Sequence, residues 1–192
     1  MVLSFPHIWG SGGGSGYVED GLFFQEENNY NFTTKTETFD PNITLTECTI
    51  EVCYSATAIA QTVGRLLVFA YEYLQLNKDL ATGNSDYGLQ VFYGFEYDNT
   101  ALVRIDNLVF GNDIHTFTVT QSGTRTNVYF DGALVGGFDN ANGRTTISDN
   151  AVFFNQQTYP LTCKFFNTRS YNRALTAAEI AANYAEDMRR YG

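Results

Sequence analysis

The sequence is short of cations. Of its 192 residues 11 are Lys or Arg, against 21 Asp or Glu, and the formal net charge is −10. A nucleic-acid-binding chain needs a basic stripe to neutralise phosphates, and no such stripe is present. The same shortage disfavours an anionic membrane surface. The acidity serves solubility. Long hydrophobic runs are missing too: no stretch approaches the ~20 apolar residues of a membrane span. The opening "MVLSFPHIW" has no basic n-region, and Pro6 and His7 interrupt its apolar stretch, so it makes a poor export signal. Cysteine is scarce and odd in number: Cys48, Cys53 and Cys163 do not make a disulfide framework. Cys48 and Cys53 lie five apart in a predicted strand, which puts them on opposite faces and keeps them from pairing. Free thiols point to folding in a reducing cytosol. Histidine is limited to His7 and His115, which leaves little material for a Ser-His-Asp or Cys-His site. "NFT" at Asn31 and "NIT" at Asn42 fit the glycosylation pattern, as an Asn-rich chain does by chance.

Aromatic and β-favouring residues are abundant. Aromatics make up 16% of the chain, with 13 Tyr and 16 Phe, and hydrophobic residues 44%. This composition favours strands. The length suits one domain with a substantial core.

The chain divides into three parts. Residues 1–9 form a short apolar peptide. Residues 10–16, "GSGGGSG", form a flexible linker, either native or an expression scar. Residues 17–192 form the domain. A tethered peptide carrying Phe5, Ile8 and Trp9 reads as an anchor docking on another protein. The alternatives are a disordered terminus or an extra strand on the domain's own sheet.

From Tyr17 the apolar pattern has period two. "CTIEVCY" places Cys48, Ile50, Val52 and Tyr54 on one face and Thr49, Glu51 and Cys53 on the other. "RLLVFAYEYL", from Arg65 to Leu74, is apolar on both faces and reads as one central strand. "YGLQVFYGFEY", "ALVRI", "HTFTVTQ", "AVFFN" and "LTCKFFNTRSY" follow as further strands, with Phe117 and Val119 turned inward. In "RTNVYFDGALVGG" the Asp131-Gly132 pair suits a type I′ hairpin turn. About ten short strands separated by Gly, Asn and Asp turns predict an all-β, two-sheet antiparallel jelly-roll sandwich.

The end of the chain departs from this pattern. Thr176 is an N-cap candidate, and Glu179 completes a capping box. Ile180, Tyr184 and Met188 make an apolar stripe at helical spacing, predicted to pack on the sandwich. Glu186 and Arg190 are spaced to pair, and Arg189 and Arg190 suit the negative end of the helix dipole. A C-terminal α-helix over about 177–190 follows.

"YNRALTAAEIAANY" (Tyr171–Tyr184) resembles the closing segment of laminin-G-like domains of the concanavalin A-like lectin/glucanase superfamily, of the kind found in gut bacteria and their phages. "IHTFTVTQSGTRTNVYFDGALVGG" resembles that family's histidine-led strand and Val-Tyr-x-Asp-Gly hairpin. "FDPNITLTECTIEVCYSA" resembles its early strand pair, and "GYVEDGL" the lead-in. The resemblance covers residues 17–188. Two departures fall near loops that could form a binding rim: Tyr159-Pro160-Leu161 replaces the usual Phe-x-Gly, and the region from Gly21 to Asp40 is abbreviated.

The superfamily includes laminarinase-type hydrolases with two acids on one strand face, as Glu-x-Asp-x-x-Glu, the spacing that acid and nucleophile require. The sequence has no such motif: Glu51 is followed by Val-Cys-Tyr, and Glu72 has no acid two residues on. The expectation is therefore a protein that is not an enzyme. The resemblance implies that His115 is structural. It also implies a rim Ca²⁺ site, for which Asp86, Asp98 and Asp113, with Asn99 and Asn112, are the oxygen donors in predicted loops. These are equally ordinary turn formers. Tyr71, Tyr73, Tyr93 and Tyr97 are the candidates to stack on a glycan, against the reading that they are core.

The leading expectation is a virion surface protein, a phage capsid decoration or fibre component made in the host cytoplasm. Its Phe5, Ile8 and Trp9 peptide would dock on other virion structural proteins, and its jelly roll would meet host surface glycans. It would use neither nucleic acid nor membrane, and it would be compatible with a homo-oligomer. The alternative is a secreted or cell-surface bacterial carbohydrate-binding module. Fold alone does not choose between them.

Overall fold

A computed structural model of the chain describes residues 22–24, 28–31, 37–39, 47–59, 63–69, 72–78, 87–93, 103–108, 113–139, 152–154 and 161–192. In chain order the strands are β1 (Leu22–Phe24), β2 (Asn28–Asn31), β3 (Glu37–Phe39), β4 (Glu47–Ile59), β5 (Val63–Phe69), β6 (Glu72–Lys78), β7 (Tyr87–Tyr93), β8 (Val103–Leu108), β9 (His115–Ser122), β10 (Arg125–Phe130), β11 (Ala133–Asp139), β12 (Val152–Phe154) and β13 (Leu161–Tyr171). One helix, α1 (Ala177–Tyr191), ends the chain. The strands form two antiparallel sheets. A seven-stranded sheet runs β1-β13-β4-β9-β10-β11, with β2 sharing β13's edge with β1; a six-stranded sheet runs β3-β12-β5-β6-β7-β8. They meet where β11 approaches β8 and β13 approaches β5. The all-β sandwich with a C-terminal helix is the architecture expected.

One strand expected from the sequence is two. The run from Arg65 to Leu74 is divided between β5 and β6, which pair as a hairpin with Phe69 opposite Glu72 and Val68 opposite Tyr73. The run has no Gly, Pro or Asn to mark the reversal, and it is apolar on both faces on either side of it, so nothing local distinguishes one long strand from two.

Strand β4 is the centre of the seven-stranded sheet, and its alternation is as read. Ile50, Val52 and Tyr54 are buried on one face, with Phe117 and Val128 from the neighbouring strands. Thr49, Glu51 and Cys53 are buried on the other, where α1 lies. The strand is thus covered twice. Cys48 and Cys53 are both buried and lie on opposite faces of the strand. The register of β13 shifts between Phe165 and Asn167, leaving Phe166 as an extra residue opposite β4. Such a bulge bends the strand and re-aims its side chains. Phe166 meets the end of the helix, its ring centroid 5.1 Å from that of Tyr191.

The β10–β11 turn has φ of 50° at Asp131 and 76° at Gly132, the left-handed pair that a type I′ turn needs. The turn also touches α1: a Cβ on Gly132 would lie 3.1 Å from the Cβ of Tyr184 and 3.3 Å from the Cα of Ala181. Gly132→Val is therefore expected to cost about 1–3 kcal/mol in backbone strain, with an overpacking cost against α1 in addition. The midpoint of urea unfolding reads it. A midpoint equal to that of the parent chain would refute the close approach.

Helix α1 begins as its sequence indicates. Thr176 Oγ1 accepts from Glu179 N at 3.3 Å, and Glu179 Oε2 accepts from Thr176 N at 2.8 Å. Arg173 adds a two-pronged contact to Glu179, at 2.7 and 3.1 Å. Its guanidinium, helped by the Thr176 backbone N–H, holds the Glu179 carboxyl down at about 2. Arg189 and then Arg190 hold Glu186 at about 2 in the same way. Both carboxyls lie below their ordinary value of 4.5, so the stability they contribute is complete above that pH and is lost as pH falls through about 2. Thr176→Ala is expected to lower stability by about 1 kcal/mol. Calorimetry on the pair of proteins measures this directly, and an unchanged Tm would show the cap to be idle.

Candidate functional site

The buried face of α1 differs from the expected stripe. Ile180 is fully buried, but Tyr184 and Met188 are only half-buried. The residues turned inward with Ile180 are Asn183, Glu186 and Asp187. The helix is rotated because the sheet beneath it is polar. Ile180 joins Leu175, Tyr171 and Tyr129 in a small apolar cluster at the N-terminal end. Beyond it the helix presents Asn183 and Asp187 to a row of partners on β4, β9 and β13.

Register builds that row. Glu51 on β4 is opposite Thr118 on β9 and Arg169 on β13; one step along, Cys53 is opposite Thr116 and Asn167. Arg169 is at the centre. It donates through Nε to Glu51 Oε2 at 2.9 Å, and through Nη1 and Nη2 to Asp187 Oδ1 and Oδ2 at 2.9 and 2.6 Å. Asp187 also accepts from Asn167 Nδ2 at 2.7 Å and from the Thr116 hydroxyl at 3.2 Å. Glu51 also accepts from Asn183 Nδ2 at 2.6 Å and from the Thr118 hydroxyl at 3.1 Å. Asn183 further donates to the Tyr171 hydroxyl at 3.0 Å. Glu51, Arg169 and Asp187 are at most 1% exposed.

The electrostatics follow from burial. Leaving water pushes the Glu51 carboxyl up, against the pull of Arg169. Burial works against the Arg169 charge, but Glu51 and Asp187 outweigh it and raise the guanidinium above its ordinary value. Burial, reinforced by Asp187, also raises the Cys53 thiol, which is therefore no nucleophile. With this little exposure the cluster cannot touch a substrate. What it can do is hold the helix on the sheet.

A second polar pair is half-exposed at the end of β9. His115 Nδ1 and Asp131 Oδ2 are 2.9 Å apart, and Asp131 Oδ1 accepts from Thr116 N at 3.0 Å. The imidazole stacks on Phe130 with centroids 5.0 Å apart. It is Tyr54, not Cys53, that lies opposite His115 across the strands. Thiol and imidazole thus occupy opposite faces, and they form no Cys-His pair. His115 braces the hairpin turn.

Most of the sequence-based candidates lie beyond what the structure describes. Phe5, Ile8, Trp9, Tyr71, Tyr97, Asp86, Asp98, Asn99 and Asn112 lie outside the described residues. Tyr73 in β6 is opposite Phe92, and Tyr93 in β7 is opposite Glu72. Asp113 is exposed just before β9. Among the described residues, no three His, Cys, Asp or Glu side chains gather as a metal site. The residues that do gather, Glu51, Arg169, Asn183 and Asp187, went unread as a group. Their signal was present: a polar alternation on β4 and an Asn183–Asp187 spacing of four beside Ile180.

No family model matches the chain, and no curated protein matches it. Solved structures do. Trypanosoma rangeli sialidase in complex with sialic acid superposes with a TM-score of 0.63 at 15% identity, over 89% of this chain and 28% of the sialidase. A protein from Bacteroides ovatus assigned as carbohydrate-binding gives 0.58 at 16% identity, over 77% of this chain and 43% of that one. A heptameric pentraxin of Limulus polyphemus gives 0.54 at 12% identity, over 83% and 79%. The fold is a lectin-like β-sandwich. The narrower laminin-G-like resemblance has no family match beside it. The expectation that the chain is not an enzyme is thereby corrected: the same sandwich occurs in sialidase chains, so the fold does not exclude catalysis. The missing Glu-x-Asp-x-x-Glu excludes only the laminarinase route. The chain spans about a quarter of the length of the sialidases it matches, 28% for the sialic acid complex, and the likeness is one of fold.

Proposed function

We propose that this lectin-like sandwich is a carbohydrate-binding module. The observation that carries the reading is the shared architecture with the Bacteroides ovatus protein across 77% of this chain. The helix supports it by elimination of one surface. Because α1 covers the outer face of the seven-stranded sheet around β4, β9 and β13, a ligand has to be taken elsewhere, at the loop rims or on the six-stranded sheet. Aromatic rings on a sheet or rim can stack on a sugar while Asn and Asp take its hydroxyls.

A glycan array probed with the full chain tests the proposal. Retention of a defined glycan class, abolished by free sugar of that class, is the expected result. An array blank at high protein concentration would sink it. Following any retained glycan over time by mass spectrometry separates binding from turnover.

The biological setting rests on sequence alone. Display on a virus particle through Phe5, Ile8 and Trp9 is part of the proposal. Mass spectrometry of purified particles decides it. Stoichiometric presence supports the particle setting, and absence leaves the bacterial surface module.

A further inference from the structure

Among the described strands the two sheets end in four edges, and three of these are guarded. β1 and β2, which share one edge, are three and four residues long. β3 has three residues and begins at Glu37. β8 carries Arg104 and Asp106. Short strands and charged residues keep a sheet edge from pairing with another chain. β11 has neither device. It is seven residues long, and from Ala133 to Phe138 it carries no charge and no proline. Among the described strands it pairs with β10 alone; β8 comes near it from the other sheet without joining the ladder. Its first three residues are exposed. Leu134 and Val135, at 59% and 39%, are the large hydrophobic side chains that the described residues leave in water. One bulge, at Val135, adds twist to the strand. That shortens the length over which another strand can pair, and so sets a weak contact rather than a tight one.

We propose that β11 pairs with β11 of a second copy of the chain, antiparallel about a two-fold axis, so that two seven-stranded sheets continue as one. Charge favours a copy over a foreign strand. A foreign partner of so acidic a chain would be selected by its basic residues, and β11 offers no charge for them to read between Ala133 and Phe138. A copy needs the reverse, an uncharged edge, because two chains of net charge −10 repel one another elsewhere. The one charged residue of β11, Asp139, is at its end and is paired with Arg125 at 3.3 Å. About any centre between Ala133 and Phe138, two-fold pairing keeps the two Asp139 carboxylates from facing each other, so no like charges are set opposite. A two-fold contact must also be complementary to itself, and an apolar strand edge meets that demand. An axis normal to the sheet keeps like faces together. Leu134 is opposite Tyr129, which belongs to the cluster under α1, so the Leu134 residues of both copies come to the α1 face of the joined sheet. So short a junction is smaller than the ~1,600 Å² of a standard interface, and association is expected at micromolar rather than nanomolar concentrations. The inference is independent of whether the module binds sugar.

Sedimentation equilibrium of the full chain, from micromolar to near-millimolar concentration, is the test, with amide hydrogen exchange of β11 beside it. A monomer–dimer equilibrium is expected. The amides of Ala133–Phe138 that β10 leaves free are expected to gain protection as the chain is concentrated. The variant carrying both Leu134→Lys and Val135→Lys restores a charge guard at two exposed positions, and it is expected to weaken association by about tenfold or more. Its urea midpoint in dilute solution should match that of the parent chain. A chain that stays monomeric throughout overturns the proposal, as does a dimer that survives both lysines. Protection of all these amides already at the lowest concentration also overturns it, because the edge would then be covered from within one chain. Should the lysine variant fail to fold, exchange in the parent chain decides alone: a dimer that protects other strands and not β11 refutes the pairing.

Discussion

Replacing Arg169 with alanine is expected to cost about 3–5 kcal/mol of folding stability, because two carboxyl groups are left in a dry site without their cation. Arg169 joins three elements that are distant in sequence, since it binds Glu51 on β4 and Asp187 on α1 from its place on β13. Asp187→Ala should be nearly as severe. It strands the guanidinium fork, the Asn167 amide and the Thr116 hydroxyl together. The double variant Arg169→Ala, Asp187→Ala should cost less than the sum of the two, by about 0.5–3 kcal/mol, since residues in one network do not add. Urea denaturation of the four proteins gives all the terms. Strict additivity would mean that the contact contributes nothing beyond its separate parts. Apolar replacement of Glu51, Arg169 and Asp187 is often harmless for a bare ion triad. Here it should not be, because Asn167, Asn183, Thr116 and Thr118 would each lose a buried acceptor.

Phe117→Ala is expected to cost about 3–5 kcal/mol by a different route. Phe117 is fully buried on the opposite face of β9, between Val52 of β4 and Phe130 of β10. Its removal leaves a cavity inside the sandwich and orphans no charge. The two variants should therefore separate in their pH behaviour. The Arg169→Ala penalty should shrink on acidification, as the stranded Glu51 carboxyl takes a proton, whereas the Phe117→Ala penalty should stay level. Chemical unfolding at two pH values reads this. If both penalties moved together, the ionic origin assigned to the first would be wrong.

The strands were legible in the sequence to different degrees. β9, β10 and β11 were plain, because alternation ends at a residue pair, Asp131-Gly132, whose backbone preference permits only one kind of turn there. The division of Arg65–Leu74 into β5 and β6 was not, since a hairpin without punctuation is specified by its partners rather than by its own residues. The start of α1 was plain too. A capping box is a local contact between residues three apart, and Thr176 and Glu179 make it regardless of what surrounds them.

Which face the helix buries was decided elsewhere. By local hydropathy Ile180, Tyr184 and Met188 should have pointed down, and Ile180 alone is fully buried. Asn183 and Asp187 turn inward because Arg169, Glu51, Thr116 and Asn167 wait there, and those residues reach one face only through strand register. By itself the sequence determined the β class, the hairpin turn, the helix and its cap, and the burial of β4 on the face of Ile50, Val52 and Tyr54. All of these depend on residues within a few positions of one another. Only the tertiary structure decided that Glu51, Arg169 and Asp187 meet, with sequence separations of 118 and 18 residues bridged by the two contacts of Arg169. A charge has no period by which to announce its partner. Its position is fixed when the sheet closes, water leaves, and the nearest opposite charge becomes the one that stabilises it.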